Sequence, residues 1–389
     1  MKLRKKATGH FVNRATAGEA FKAFVPNPLP PDPPLDLKVE HFDRLERANR
    51  ALGKLDGLSR FLPDVSLFVY WYVRKEAVLS SQIEGTQSSL SDLLLYEQSE
   101  APGVPVEDVQ EVSHYVAAVR HGIDRLREGF PLSLRLLREV HEVLLKTGRG
   151  STKQPGEFRR SQNWIGGTRP GNARFIPPPP ESLIECLGDL EKFLHDTQVR
   201  TPALIKAGLS HVQFETIHPF LDGNGRIGRL LITLLLVSEG AISEPTLYLS
   251  LYFKRHREIY YELLQKVRTE GAWEEWLQFF LEGVEFTADE AVKTALGILN
   301  IFEEDRSKIE SLGRSSGNIL RVHSLLQRKP IISIPVAAED LQLTPPTVRS
   351  AISTLEEMGM VQETTGKLRD RLFVYKRYMD LLQEDIEER

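Results

Sequence analysis

The sequence predicts a mainly α-helical protein with one short β-hairpin inserted in the helical body and a small winged helix-turn-helix domain near its C-terminal end. Three observations lead there. Apolar residues recur at i, i+3, i+4 and i+7 over most of residues 37–300. That rhythm breaks once, across Asn163–Pro180, where Gly166, Gly167, Gly171 and Asn172 supply turn residues and four prolines follow. Beyond residue 315 three short helical patterns precede two alternating apolar pieces around Gly366, the order of a winged helix.

The elements follow in chain order. Residues 1–36 are basic and then proline-rich, ending in Pro28–Pro34, and read as an extended surface arm. Residues 37–110 form an N-terminal helical domain, in which the run Val73–Glu84 stops at Gly85 and a new helix starts at Ser89 with Asp92 as a capping box. A helical core spans 111–300, with runs over Val106–Arg127, Leu132–Leu145, Ser182–His195, Pro202–Ile217, Arg226–Glu239, Trp276–Gly283 and Glu285–Glu304. The interruption carries one expected strand, Ala173–Ile176. The winged helix occupies 315–379: helices at Ile319–Leu326 and Val336–Leu341, a third capped by Thr344 with Pro345 at its first position, then wing strands Val361–Thr364 and Leu372–Tyr375. Residues 380–389 are an acidic tail.

Composition narrows the class. The 389 residues exceed one ordinary core, and 41% apolar with 27% charged content is globular. A net charge of -4 exerts no global pull on nucleic acid or membrane. The lone Cys186 excludes an internal disulfide and reads as a buried thiol. Lys2, Arg4, Lys5 and Lys6 are followed by no apolar stretch, so a secretory signal is not expected. The apolar run Leu230–Val237 is far short of the ~20 residues that span a bilayer. A cytoplasmic setting without membrane contact is expected.

The chemistry concentrates between Ile217 and Arg229. Pro219 ends the preceding helix near His218, and Gly223-Asn224-Gly225 can turn consecutive N–H groups toward one point. The next helix begins at about Arg226, so its free amides and dipole face the same point, and Arg226 and Arg229 share one face. Loop amides, a helix N-terminus and two guanidiniums make a polyphosphate site. Asp222 suits Mg²⁺ held jointly with phosphate oxygens, and His218 stands where an imidazole takes the proton of an attacking hydroxyl.

The segment His218–Arg229, HPFLDGNGRIGR, resembles the Fic motif HxFx(D/E)GNGRxxR at every specified position. The resemblance implies a Fic helical core with a β-hairpin flap, and protein adenylylation (transfer of AMP from ATP to a Ser, Thr or Tyr hydroxyl of a target protein) with Mg²⁺. It implies His218 as general base, Asp222 as metal ligand, Gly223, Asn224, Gly225 and Arg226 on the α- and β-phosphates, Arg229 on the γ-phosphate, and Phe220 anchoring the loop in the core. Similarity to the subfamily with an N-terminal helical domain and a C-terminal winged helix extends from Phe24-Val25-Pro26 to about Gly283. A homodimer is expected from the resemblance.

Upstream, Ser80-Ser81-Gln82-Ile83-Glu84-Gly85 resembles the Fic inhibitory motif (S/T)xxxE(G/N), which implies that Glu84 pairs with Arg229 and limits activity. A carboxylate at a helix C-terminus also wants a cation on dipole grounds. Within the expected hairpin, Ala173, Arg174, Phe175 and Ile176 would offer a backbone edge to a target polypeptide. Tyr260 and Tyr261 are candidates for an adenine pocket. In the winged helix, Arg349, Lys367, Arg369 and Arg371 are candidate DNA contacts. Two other functions compete: a DNA-binding regulator whose Fic domain senses a nucleotide, and a Fic enzyme that removes AMP or transfers another phosphate-containing group.

Overall fold

The computed structural model describes residues 7–16, 19–61, 65–97, 104–197, 200–366 and 371–387. They divide into two compact units, Met1–Ser89 with Pro102–Asp289, and Leu90–Ala101 with Glu290–Arg389.

The first unit opens on two strands, β1 (Gly9–Thr16) and β2 (Glu19–Pro26), paired antiparallel from Gly9 with Pro26 to Thr16 with Glu19. This departs from the extended arm expected over 1–36. Phe21 and Ala23, on either side of the exposed Lys22, turn one face of β2 onto Ile176, which makes a strand of it. Helices α1 (Val39–Phe61) and α2 (Val65–Ile83) follow; α3 (Leu90–Glu97) belongs to the second unit. Then come α4 (Val106–Arg127), α5 (Leu134–Leu144), α6 (Pro180–Leu194), α7 (Ala203–Ile217), α8 (Asn224–Ser238), α9 (Ser250–Arg255), α10 (Arg257–Glu270) and the 38-residue α11 (Trp273–Glu310). The last is one unbroken helix where the sequence suggested two.

The core is built on α7 and α8. Every residue of α7 from Leu204 to Ile217 is buried, as is α8 from Arg226 to Leu236, so neither shows a polar stripe. Helix α4 packs on α2, α5 and α8, and α6 covers α7. The Cys186 thiol is buried on α6, and burial pushes its pKa up to about 11.

The segment expected as a hairpin strand is a loop. Its regular structure is one bridge, Ile165 with Phe175, beside a 3-10 turn at Pro170–Asn172. Four prolines from Pro177 lack donors and end any ladder there. The bonding is completed from far upstream: the Phe24 N–H of β2 donates to the Ile176 carbonyl at 2.9 Å.

The second unit holds α3, the end of α11, α12 (Ser316–Arg328), β3 (Ile331–Ser333), α13 (Ile334–Leu341), α14 (Pro345–Glu357), β4 (Val361–Glu363), β5 (Leu372–Tyr375) and α15 (Lys376–Glu387). Thr344 caps α14 by accepting from the Thr347 N–H at 3.4 Å. The wing sheet has three strands in the order β3-β5-β4, all antiparallel. The residues expected as a tail from 380 are helical as far as Glu387. Lys367 and Arg369 lie outside the described residues.

Candidate active site

The site starts from how α7 ends. His218 adopts φ 50, ψ 61, a left-handed conformation that costs a non-glycine residue energy and needs external support. Arg159, 2% exposed, provides it. Its Nε donates to the His218 carbonyl at 2.9 Å, one terminal nitrogen to the Pro178 carbonyl at 2.6 Å and the Ile217 carbonyl at 3.3 Å, and its own N–H to the Pro219 carbonyl at 2.9 Å. Arg268 serves the same helix end: Nε donates to Thr216 Oγ1 at 3.1 Å, a terminal nitrogen to the Glu215 carbonyl at 3.0 Å, and its guanidinium lies 4.1 Å from the Phe175 ring centre.

The His218 side chain is 20% exposed, with Nδ1 4.0 Å from Glu215 Oε2. Burial and the positive charges of Arg268 and Arg159 push its pKa down to about 3, so the imidazole is neutral at physiological pH. Glu215 is buried, and desolvation raises its pKa to about 7. It fits between α7 and α8 because Gly228 has no Cβ, which would come 2.4 Å from Glu215 Oε1.

The turn after His218 is held from inside. Phe220 is fully buried and stacks on the His141 ring at 3.7 Å. The Phe220 N–H donates to Asn224 Oδ1 and Asn224 Nδ2 donates to the Phe220 carbonyl, both at 2.8 Å. Asn224 thus braces the loop, and its side chain is committed to the backbone rather than aimed at a ligand. His141 accepts from the Gly156 N–H at Nδ1 (2.9 Å), which leaves the proton on Nε2 to bond the Asp222 carbonyl at 3.0 Å. Gly223, at φ 77, then turns the chain into α8.

The charges converge at that helix start. Arg226 and Glu111 are almost wholly buried, and the guanidinium lies 2.7 Å from Glu111 Oε1 and 3.5 Å from Asp222 Oδ1. Asp222 Oδ1 also accepts the Gly223 N–H at 2.6 Å, and its side chain is 27% exposed. Arg229 donates from Nε to Ser80 Oγ at 2.8 Å and from a terminal nitrogen to the Ser80 carbonyl (3.0 Å) and Glu84 Oε1 (2.7 Å). Glu84 follows α2 and Gly85 takes φ 102 in the turn. A Cβ on Gly225 would lie 2.2 Å from Glu84 Oε1, so that carboxylate rests on the first turn of α8. Burial works to raise the Glu84 pKa, but Arg229, Arg226 and His218 outweigh it and hold it below the usual value.

Residues 42–124 match the model of the Fic/DOC family N-terminal region, 131–236 that of the Fic/DOC family, and 316–362 that of a winged helix-turn-helix DNA-binding domain. The chain carries a Fic/DOC core. The chain is 28% identical over 314 residues to the protein adenylyltransferase Fic of Aedes aegypti, covering 74% of this chain and 58% of that one. It is 29% identical over 257 residues to the namesake of Culex quinquefasciatus, covering 65% and 48%. The chain therefore spans about half the length of the curated relatives it matches. A Fic family protein of Desulfovibrio desulfuricans shares the fold at a TM-score of 0.58 and 19% identity, over 88% of this chain and 98% of that chain.

Other expectations fare differently. Tyr260 is 1% exposed, with its hydroxyl bonded to His211 Nε2 at 2.9 Å and its ring 4.6 Å from Phe253; it belongs to the aromatic core rather than to a base pocket. Tyr261 is half-buried, close enough to Glu84 and Arg229 that both charges act on its hydroxyl. Ala173–Ile176 presents no free run of backbone edge: the Arg174 and Phe175 N–H groups donate to the Ile165 carbonyl, the Phe175 carbonyl accepts from Ile165, and the Ile176 carbonyl from Phe24. Arg371 is paired with Glu363 at 3.4 Å, while Arg349 is exposed and makes no ion pair among the described residues. No group of three or more His, Cys, Asp or Glu among the described residues is placed to hold a metal, and no described helix is long and apolar enough to cross a membrane. Glu111, His141, Arg159, Glu215 and Arg268 escaped the sequence reading; for Glu215 a signal existed, the one acid of its helix, three residues before the histidine.

Proposed function

We propose that this chain transfers AMP from ATP to a hydroxyl of a target protein, and that Glu84 is its built-in brake. The observation that carries the reading is the Glu84 carboxylate resting on the first turn of α8 beside Arg229, an anion of the chain itself at a place suited to a phosphate. The names of the Aedes and Culex relatives support AMP transfer as the activity.

Neutral His218 takes the proton of the incoming hydroxyl, whose oxygen bonds to the α-phosphorus as the bond to pyrophosphate breaks. The α8 N-terminus and Arg226, steadied by Glu111, hold the phosphate chain. Asp222 suits Mg²⁺: one oxygen is tied to the Gly223 N–H, the side chain remains open to solvent, and a single carboxylate suffices when phosphates supply other ligands. Bound there, the ion would neutralise phosphate charge. With Glu84 in place, Arg229 is unavailable to the terminal phosphate, which restrains the wild-type chain.

Intact-mass spectrometry after incubation with ATP and Mg²⁺ tests this. Glu84→Gly should gain the mass of one AMP, and Glu84→Gly combined with His218→Ala should gain none. An unmodified Glu84→Gly chain, offered its own hydroxyls and a cell extract, would overturn the assignment.

A second reading has its own support, the match of residues 316–362 to a DNA-binding winged helix with the exposed Arg349 on α14. Retardation of duplex DNA by the full chain, weakened by Arg349→Ala and by salt, is the expected result if the unit contacts phosphates.

A further inference from the structure

His218 Nδ1 and Glu215 Oε1 are both buried without a hydrogen-bond partner among the described residues, and the other carboxylate oxygen, Glu215 Oε2, lies 4.0 Å from that same Nδ1. Native chains leave few buried polar atoms unpaired, and two facing each other call for an explanation. The carboxylate has its place against α8 because Gly228 lacks a Cβ. The Glu215 carbonyl is the ring's other near acceptor, but it already takes the Arg268 guanidinium at 3.0 Å.

We propose that Glu215 is the positioning residue of His218: its carboxylate holds the Nδ1 proton, leaves Nε2 bare for the incoming hydroxyl, and stabilises the imidazolium that forms. This role rests on AMP transfer being the activity of the chain. In the step, Nε2 takes the hydroxyl proton as the oxygen bonds to the α-phosphorus and the bond to pyrophosphate breaks. The ring then carries two protons and one positive charge. Closing the 4.0 Å gap by about 1 Å gives a charge-assisted bond from Nδ1–H to the carboxylate. Burial and the charges of Arg268 and Arg159, which lower the His218 pKa to about 3, all disfavour the imidazolium, and an anion at Nδ1 offsets them.

The surrounding charges make the role visible in a pH profile. Around the carboxyl stand Arg229 of α8, Glu84 after α2, and Arg268, Tyr260 and Tyr261 of α10. Arg229 and both tyrosines are held above their ordinary values, Arg268 lies at about 10, and Glu84 lies below its ordinary value. Among these groups and His218, Glu215 alone, raised to about 7 by desolvation, changes charge between about pH 5 and 8. Its carboxylate form gains as pH rises through that range.

In Glu84→Gly, the labelling rate at saturating ATP should therefore climb with pH over about pH 5–8. Adding Glu215→Gln should lower the rate on the order of 100-fold and flatten the climb, with KM for ATP within about twofold. Adding Glu215→Asp instead, which keeps the charge but draws it back, should retain the climb and part of the rate. A climb that persists in Glu215→Gln belongs to another buried carboxyl, such as Glu76, and would overturn the proposal, as would an undiminished rate. Nitrogen-15 NMR of the His218 ring in the wild-type chain needs no transfer: Nδ1 should shift in a step near pH 7, lost in Glu215→Gln. A resonance flat over that range rules the contact out, whether or not the variants fold. Absence of labelling in Glu84→Gly with the NMR step present would sink AMP transfer and leave the Glu215–His218 contact standing.

Discussion

Asn224 commits both ends of its carboxamide to the backbone of Phe220, so the side chain of a residue expected to touch phosphate shapes the turn between α7 and α8. Replacing it by Ala leaves a buried donor and acceptor facing a void, at a cost of roughly 1–3 kcal/mol. Thermal unfolding of Asn224→Ala should begin several degrees lower, and labelling in the Glu84→Gly background should fall steeply because the amides of Gly223 and Gly225 lose their aim. An unshifted Tm would mean that the bridge contributes nothing. His218 behaves differently: its conformation is imposed by Arg159 at its carbonyl, so His218→Ala removes the base and leaves the loop standing. Labelling should vanish there while the Tm moves by no more than about a degree, as for a partly exposed side chain with little packing.

At the level of elements, the buried pair between α4 and α8 is the most consequential contact that the sequence hid. Glu111→Gln takes away the nearer of the two carboxylates beside the Arg226 guanidinium and leaves Asp222 at 3.5 Å, and loss of one partner of such a buried pair costs about 3 kcal/mol. The variant should melt well below the wild type, and ATP with Mg²⁺ should recover part of the loss in the Glu84→Gly background, since phosphate replaces the missing charge. A melting point unchanged by the substitution would show that Arg226 needs no partner. Glu111 was illegible for a physical reason: on an amphipathic helix an acid reads as solvated, and its partner lies on a helix distant in sequence. Helix α4 itself was legible to its ends, Val106 and Arg127, because the apolar stripe and terminal charges agree. The turn between α7 and α8 was legible as a turn because its proline and glycines follow one another along the chain. The segment around Phe175 was not, since its hydrogen bonds come from β2, and β2 was masked by the prolines that follow it.

Across the whole molecule, buried titratable groups set opposing responses to pH. Desolvation lowers His211 to about 3 and His323, in the second unit, to about 4. Unfolding exposes them to take up protons below about 6.5, so each unit loses stability as pH falls through that range. Glu76 acts in the other direction. It joins α2 to Tyr115 of α4 at 3.2 Å and to the Ser250 amide that opens α9 at 3.0 Å, and burial raises its pKa to about 7. A carboxyl raised in the folded state from 4.5 keeps its proton between 4.5 and 7, where the unfolded chain has lost it. Its contribution is therefore complete below 4.5 and disappears as pH rises through 7. Glutamine copies the neutral charge of the protonated form and can still accept from the Ser250 amide. Glu76→Gln should melt close to the wild type at pH 4.5 and above it at pH 8, by an amount approaching about 3 kcal/mol, from 1.4 kcal/mol per unit of pKa shift. Calorimetry at the two pH values decides the matter. A difference that does not grow with pH would mean that Glu76 is already ionised at neutrality, and that Arg229, whose charge also acts on it, offsets more of the burial than desolvation allows.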